Sequence, residues 1–598
     1  MHVDINLNML NEIDFGFTPS PYQEKIFDFI MHGNGNAVIS AKAGSGKTST
    51  CVAAIKLIKP KNKVMFLAFN KSIAEELSLK LKDFPNVEVR TSHSLGFAII
   101  RKNVEGEVEL DEFKYRTYIK SNILDLTSVD VSLTRVQLYN YIESISALVD
   151  YARFNLAQTA AEVKALAVKY DVPIFFDECD VVIKVLEWGK TELNRVDYTD
   201  MVWLPVELSM NTKLFQKDFI FIDECQDQSL MSIELFLKCF KRGTRFIAVG
   251  DEKQCINTFC GASEDAFQYM KDYPKTTPFD LPICYRCPRS VVELARILVP
   301  EIKYREGAPE GIIQDNCWTK MLNSGDMVIS RSKAPLLKVY VKLLRRGIQC
   351  HIKGQEFGTN LKKLLEEIDC EELNANLKAD GVFVRLFDNL FEMRNKIMAT
   401  NGLDYQDATL TSYVTERYDM INALGILAEN YSTKSELIEH IDEMFDENRE
   451  GVILSTIHKA KGLEADNVYI LCNSSMPSKL AKKDWEKSAE QNLIYVAYTR
   501  AKKKLGFISE QEIKPFGIAQ GPDVILNELG LIENLVCRVL GKEPTEQKES
   551  VEIAKFNLQN GVTQIEDEHK DDNFKTIETN DVNDNDDLLQ ELDDLLNK

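Results

Sequence analysis

"VISAKAGSGKTST", residues 38–50, sets an apolar run against a Gly-rich turn that closes on Lys-Thr. This strand–loop–helix passage predicts a phosphate-binding loop, in which backbone N–H groups and a helix N-terminus face phosphate anions. Lys47 is placed to reach the β/γ-phosphates of a nucleotide, and the Thr48 hydroxyl to hold Mg²⁺. Ala43, Gly44, Ser45, Gly46 and Ser49 complete the expected nucleotide contacts of the loop. Ala41 stands where the usual spacing has its first glycine. Many machines carry such a loop, so it does not say what the nucleotide's energy drives.

The flanking sequence sets the fold class. "NAVIS" (36–40), "KVMFLAF" (63–69), "VEVRT" (87–91), "DFIFID" (218–223) and "TRFIAVG" (244–250) read as strands buried on both faces. Such runs belong to a parallel α/β sheet. Between them, from Gly96 to about Tyr198, the pattern turns helical, as in "VQLYNYIESISALVDYARF". A second α/β pattern begins after Leu281, with "GDMVISRS" (325–332), "GIQCHIKG" (347–354), "GVILSTIHKAKGLEADNVYIL" (451–471) and "LGFIS" (505–509). A mostly helical stretch from about 358 to 449 interrupts it.

At 598 residues the chain is too long for one core. Its 44% hydrophobic and 28% charged residues are those of a soluble globular protein, and no apolar run reaches membrane-span length. An intracellular location follows as an expectation, in the cytoplasm, nucleoid or host cytoplasm. Thirteen scattered cysteines suit a reducing compartment. Cys255, Cys260, Cys284 and Cys287 give C-x4-C and C-x2-C, but reduced thiols are the better reading than a metal site. The net charge of −21 argues against non-specific coating of nucleic acid. About half of it lies beyond Gly541, where 17 acidic residues face 6 basic ones. That tail reads as disordered. It ends in "DDLLQELDDLLNK", whose Leu588, Leu589, Leu592, Leu595 and Leu596 share one helical face.

The apolar run at 219–222 ends in Asp223 and Glu224, two carboxylates at the carboxyl end of a strand, where open α/β sheets bind ligands. Asp223 is the candidate to hold Mg²⁺, and Glu224 the candidate base for an attacking water.

A series of stretches in order then resembles superfamily 1 DNA helicases of the UvrD/Rep kind, closest to the branch of the F-box DNA helicases, though no F-box is visible. Besides "AKAGSGKT" and "DECQD", they are "TPSPYQEKIFDFI", "LAFNKSIAEEL" with "RTSHSLGF", "VGDEKQCINTFCGA", "LPICYRCPRSVVELA", "STIHKAKGLEADNVYI" and "EQNLIYVAYTRAKKKL". The resemblance implies that Gln23 reads adenine, Tyr285 stacks on it, and Glu464 binds the ribose. It makes Gln254 a γ-phosphate sensor, and Arg286 and Arg500 the arginines that reach that phosphate. Phe69, Asn70, Thr91, His93, Phe259, His458 and Lys459 become the candidates for single-stranded DNA. The chain departs from the commoner pattern at Asn257 (Tyr in the family), Cys260 (Arg), and Gln491 with Asn492 (two arginines).

The fold implied is α/β, with two RecA-like P-loop NTPase domains in tandem, helical insertions and a disordered acidic tail. The first motor domain is expected over 1–96 and 199–284, its helical insertion over 97–198, the second motor domain over 285–357 and 450–540, a reduced helical insertion over 358–449, and the tail over 541–598. The implied activity is ATP- and Mg²⁺-dependent translocation on single-stranded DNA, 3′→5′, with unwinding at single-strand/duplex junctions in replication, recombination or repair. A monomer without membrane attachment is expected, with the leucine stripe as a candidate docking peptide for a protein partner. The same motifs would serve an ATPase that strips proteins from single-stranded DNA. Asn257 and Cys260 are the support for a slow-turnover ATPase scaffold module.

Overall fold

The computed structural model describes residues 14–127, 135–256, 264–366, 382–401, 405, 412–428, 433–446, 449–479, 481, 483–512, 532–534, 536–537, 540 and 542. Asn257, Phe259 and Cys260, the acidic tail beyond 542 and the leucine stripe lie outside the described residues.

Among the described residues, two six-stranded sheets organise the chain. The first contains β1 (Asn36–Ala41), β2 (Val64–Ala68), β3 (Val87–Thr91), β4 (Phe219–Ile222), β5 (Arg245–Gly250) and β6 (Thr276–Leu281). The order is β3-β2-β4-β5-β1-β6, and every pair is parallel. Successive side chains of a strand point to opposite faces. Met65, Leu67, Ile220, Ile222, Phe246 and Ala248 therefore enter one core, and Phe66, Phe221, Ile247 and Val249 the other. Phe66 and Phe221 stack across neighbouring strands with ring centroids 6.0 Å apart. Burial on both faces explains the unbroken apolar runs. β3 differs from the expectation: it is only half-buried along its length, because it is the sheet edge. The other edge, β6, has a sequence, "TTPFDL", too polar to read as a core strand, and its Pro278 is tolerated at an edge.

The second sheet contains β7 (Ile312–Cys317), β8 (Met327–Ser330), β9 (Cys350–Ile352), β10 (Val452–Thr456), β11 (Ala465–Leu471) and β12 (Ala501–Ile508). Its order is β7-β12-β11-β8-β10-β9, again all parallel. The stretch 451–471 thus holds two strands with a tight turn region between them. "LGFIS" is the end of a longer strand whose lysines at its start pair with acids, as Lys503 does with Asp466 at 2.7 Å.

Each helical insertion shares a core with one face of its sheet. Tyr141, Ile145, Val181 and Val185 of the first insertion lie in one cluster with Met65, Leu67 and Ile220 of the first sheet. Leu361, Leu386, Leu390, Ile421 and Leu437 do the same with Val328, Leu454 and Leu471 of the second. Phe175 of the first insertion also belongs to that second cluster, so the two halves meet there.

The first insertion buries charge. Asp200, on the helix Tyr198–Glu207, accepts from Lys114 Nζ at 2.5 Å, Tyr115 Oη at 2.6 Å and Arg153 at 2.9 Å. The side chains of Lys114 and Asp200 are wholly buried, and Arg153 is 1% exposed. Asp200→Ala strands two cations, so a loss of about 3–5 kcal/mol is expected, read as a lower denaturant midpoint of the full chain.

Candidate active site

The carboxyl ends of neighbouring strands β4, β5 and β1 converge on one cleft, where loops after parallel strands present their polar groups. After β1, Gly44 (φ +66°) and Gly46 (φ +78°) take left-handed conformations that glycine adopts without steric cost. Gly44 is also needed for space. A Cβ there would lie 2.8 Å from Arg286 Cβ and 2.9 Å from Cys284 Sγ. Tyr285 N–H donates to Gly44 O at 2.8 Å. The loop is therefore seated on the "CYRC" turn, which lies between the two sheets. The helix Lys47–Lys56 starts from Gly46 and points its N-terminus into the cleft.

Lys47 Nζ binds Glu224 Oε2 at 2.8 Å, and Thr48 Oγ1 donates to Asp223 Oδ2 at 3.2 Å. Glu224 has φ +47°, a strained conformation for a non-glycine residue costing about 1–3 kcal/mol. It caps the 3-10 turn Cys225–Asp227. Burial opposes ionisation of Glu224, but the Lys47 and Lys461 cations outweigh it and hold the carboxyl down at about 2. Burial, with the Glu224 charge beside it, pushes Asp223 up to about 6. A buried carboxylate next to a hydroxyl, both oxygen donors, is a set that fits Mg²⁺.

Gln254, 4% exposed, donates to Asp251 Oδ2 at 2.7 Å. Arg500 comes from the far side, at the junction of the helix Asp484–Tyr498 and β12. It is 1% exposed and reaches Gln254 Oε1 at 3.5 Å, Thr499 Oγ1 at 3.1 Å and Val496 O at 2.9 Å. Burial, and then the charge of Arg286, lower it to about 10, so it stays protonated at neutral pH. Arg286 and Glu464, expected on the γ-phosphate and the ribose, hold one another at 2.5 Å.

Gln23 is 3% exposed and its amide is engaged at both ends: Oε1 accepts from Ser20 N–H at 2.9 Å and Nε2 donates to Thr50 Oγ1 at 2.9 Å. Reading adenine requires Gln23 to exchange one of these partners. Tyr285 is 40% exposed and lines a recess with Ser20, Tyr22, Ser45 and Pro282. On the DNA-side candidates, Phe69 is 40% exposed after β2, while Asn70 and Thr91 cap the helices that follow β2 and β3. The His93 ring meets Tyr198 edge-on at 6.4 Å. His458 and exposed Lys459 follow β10. Burial, aided by the Arg331 cation, lowers His458 to about 4, so the imidazole is neutral at neutral pH.

Tyr495 and Lys461 were not singled out from sequence, although each lies inside a quoted motif, and Asn492 was noted only as a departure from the family pattern. Tyr495 Oη accepts from the Ala43 N–H at 2.9 Å, joining the second half's helix to the phosphate loop. Asn492, in place of an arginine, donates to Cys255 O at 3.0 Å. Lys461 Nζ binds Asp227 and also Gln254 O at 2.6 Å. The motif spacing marked the segments, but not which side chains bridge between them.

Family models match the chain in two blocks. The UvrD/REP helicase N-terminal domain covers residues 22–275, and the UvrD-like helicase C-terminal domain covers 360–512. The chain belongs to the UvrD/Rep-like helicase family. Among its relatives in this family are F-box DNA helicase protein 1 of Schizosaccharomyces pombe, 26% identical over 78% of this chain and 55% of the relative, and F-box DNA helicase 1 of Gallus gallus, 24% identical over 81% and 48%. ATP-dependent DNA helicase Rep of Buchnera aphidicola is 21% identical over 79% of this chain and 92% of the relative. The chain spans about half the length of the F-box relatives it matches. Among the described residues, no helix is long and apolar enough to cross a membrane.

Proposed function

We propose that this chain is an ATP-driven motor that moves along single-stranded DNA, 3′→5′, and unwinds duplex in its path during replication, recombination or repair. The observation that carries this reading is the cleft itself. Lys47, Thr48, Asp223, Glu224 and Gln254 come from the first sheet's loops, while Arg500, Glu464 and Lys461 come from the second's. A planar, permanently charged guanidinium suits phosphate contact. Arg286 and Arg500 close on the γ-phosphate, and its release opens the two halves again. Phe69, Asn70, Thr91 and His93 at the ends of β2 and β3, with His458 and Lys459 after β10 and Phe259, grip the strand. Their spacing then changes once per cycle.

Within the cleft, Gln23, Ala43, Gly44, Ser45, Gly46, Ser49, Tyr285 and Glu464 bind the nucleotide. Thr48 and Asp223 would hold Mg²⁺, which supplies neutralisation of phosphate charge when bound. Glu224 receives the water's proton. The domain limits given from sequence stand as part of this reading, as does a monomeric working form.

The test is the steady-state ATPase rate with and without single-stranded DNA. The wild-type rate is expected to rise with DNA, and Lys47→Ala is expected to lower turnover by at least about a hundredfold, as loss of a preorganised charge does. A wild-type rate indifferent to DNA overturns the motor reading. Strand displacement beside clearance of bound protein from the strand separates unwinding from stripping.

A further inference from the structure

The motor reading needs a physical link between the DNA side and the acid pair. One continuous set of contacts provides it. Lys461 lies in the turn between β10 and β11, three residues after His458 and two after Lys459. Its side chain is 9% exposed, and Asp227, its partner across the cleft, is wholly buried. Asp227 Oδ2 also accepts from Gln226 Nε2 at 3.0 Å, and the same amide nitrogen donates to Glu224 Oε2 at 2.6 Å. Glu224 in turn holds Lys47 at 2.8 Å.

The direction of the Gln226 amide is determined by its surroundings. Its oxygen accepts from Asp251 N–H at 3.0 Å, which leaves only the nitrogen to face the two carboxylates. Gly250 keeps this arrangement possible, since a Cβ there would lie 2.3 Å from Gln226 Oε1. The file Lys47, Glu224, Gln226, Asp227, Lys461 is thus unbroken. Its last member alone stands on the second half of the molecule, in the turn that carries the DNA-side candidates.

We infer that Lys461 is a positioning residue that couples strand binding at residues 458–459 to the orientation of Glu224, acting through Asp227 and Gln226. This rests on the motor reading above. When the 457–462 turn shifts on the strand, the ammonium shifts with it. Asp227 cannot remain buried without a cation, so it follows. Gln226 bridges both carboxylates and passes the displacement to Glu224. The contact of Lys461 with Gln254 O registers the same movement at the γ-phosphate sensor.

The experiment uses the full chain, with ATPase measured with and without a mixed-sequence single-stranded oligonucleotide. The variants are Lys461→Met, Lys461→Arg, and the double variant Lys461→Met with Asp227→Asn, which leaves no stranded buried charge and so keeps the fold. The ratio of stimulated to unstimulated kcat is expected to fall about tenfold or more in Lys461→Met and the double variant, a usual size for coupling between sites. KM for ATP should stay within about twofold of wild type, because the loss lies in the chemical step rather than in nucleotide binding. Lys461→Arg should restore most of the ratio. A double variant with the wild-type ratio overturns the coupling role and leaves the motor reading standing. A wild-type chain that DNA does not stimulate overturns both.

Discussion

Arg500→Ala is expected to lower DNA-stimulated kcat by about 10³-fold or more, the range for an arginine that meets a transferring phosphoryl group. The side chain is fully buried and is aimed by Val496 O, Thr499 Oγ1 and Gln254 Oε1, so its position does not depend on a flexible stem. Burial in the cleft also strengthens its field on a developing charge. Arg500→Lys keeps a charge but not the planar fork, and little of the rate should return. Both variants should still bind single-stranded DNA, because Arg500 is not among the DNA-side candidates. A kcat for Arg500→Ala within tenfold of wild type would remove Arg500 from the transition state.

Glu224→Gln is expected to lower kcat by about 10²–10⁴-fold, the usual contribution of a general base. The replacement has nearly the same shape but cannot take a proton. The pH dependence follows from the surroundings of the acid. Burial alone would raise Glu224, yet Lys47 and Lys461 hold it at about 2, below its ordinary value. The carboxylate form is therefore present above that value and is lost only as pH falls toward it. Wild-type kcat should show no inflection from Glu224 between about pH 5 and 9, well above its depressed value and its ordinary one of about 4.3. A kcat–pH profile with an inflection near the ordinary carboxylate value of about 4.3, below that of Asp223 at about 6, that vanishes in Glu224→Gln would show that the base is not held this way.

The two variants separate the halves of the cleft. Glu224 stands at the end of a first-sheet strand, whereas Arg500 enters from the second sheet. If closure of one half on the other drives hydrolysis, removing either should stop turnover, and only the Arg500 loss should also weaken the effect of ATP on the contact between halves. Proteolytic sensitivity of the joining segment, with and without ATP, reads that contact.

Much of the fold was legible because its strands are buried on both faces. Apolar runs such as "FIFI" and "VMFLA" have no competing helical reading at that length, and they emerged as central strands β4 and β2. The edge strands were not legible for the same reason inverted. "TTPFDL" and "IIQDNC" meet solvent, so their sequences carry mixed polarity and no clean alternation. The helical insertions were visible as helical pattern, but their fusion with one face of each sheet was not, since periodicity does not say what an apolar stripe covers.

The site divides along similar lines. By itself the sequence determined the local chemistry: a phosphate loop with Lys47 and Thr48, an acid pair after a strand, and arginines in motifs at recognisable distances. Those features depend on neighbours within a few residues, and a strand–loop–helix passage shapes them wherever it occurs. Only the tertiary structure decided the pairings. Lys461 and Asp227 are 234 positions apart, Tyr495 and Ala43 are 452 apart, and Asn492 reaches Cys255 across 237. A buried polar or charged group must find a partner. Which partner it finds is decided by how two separately built sheets pack, and no spacing within either motif encodes that.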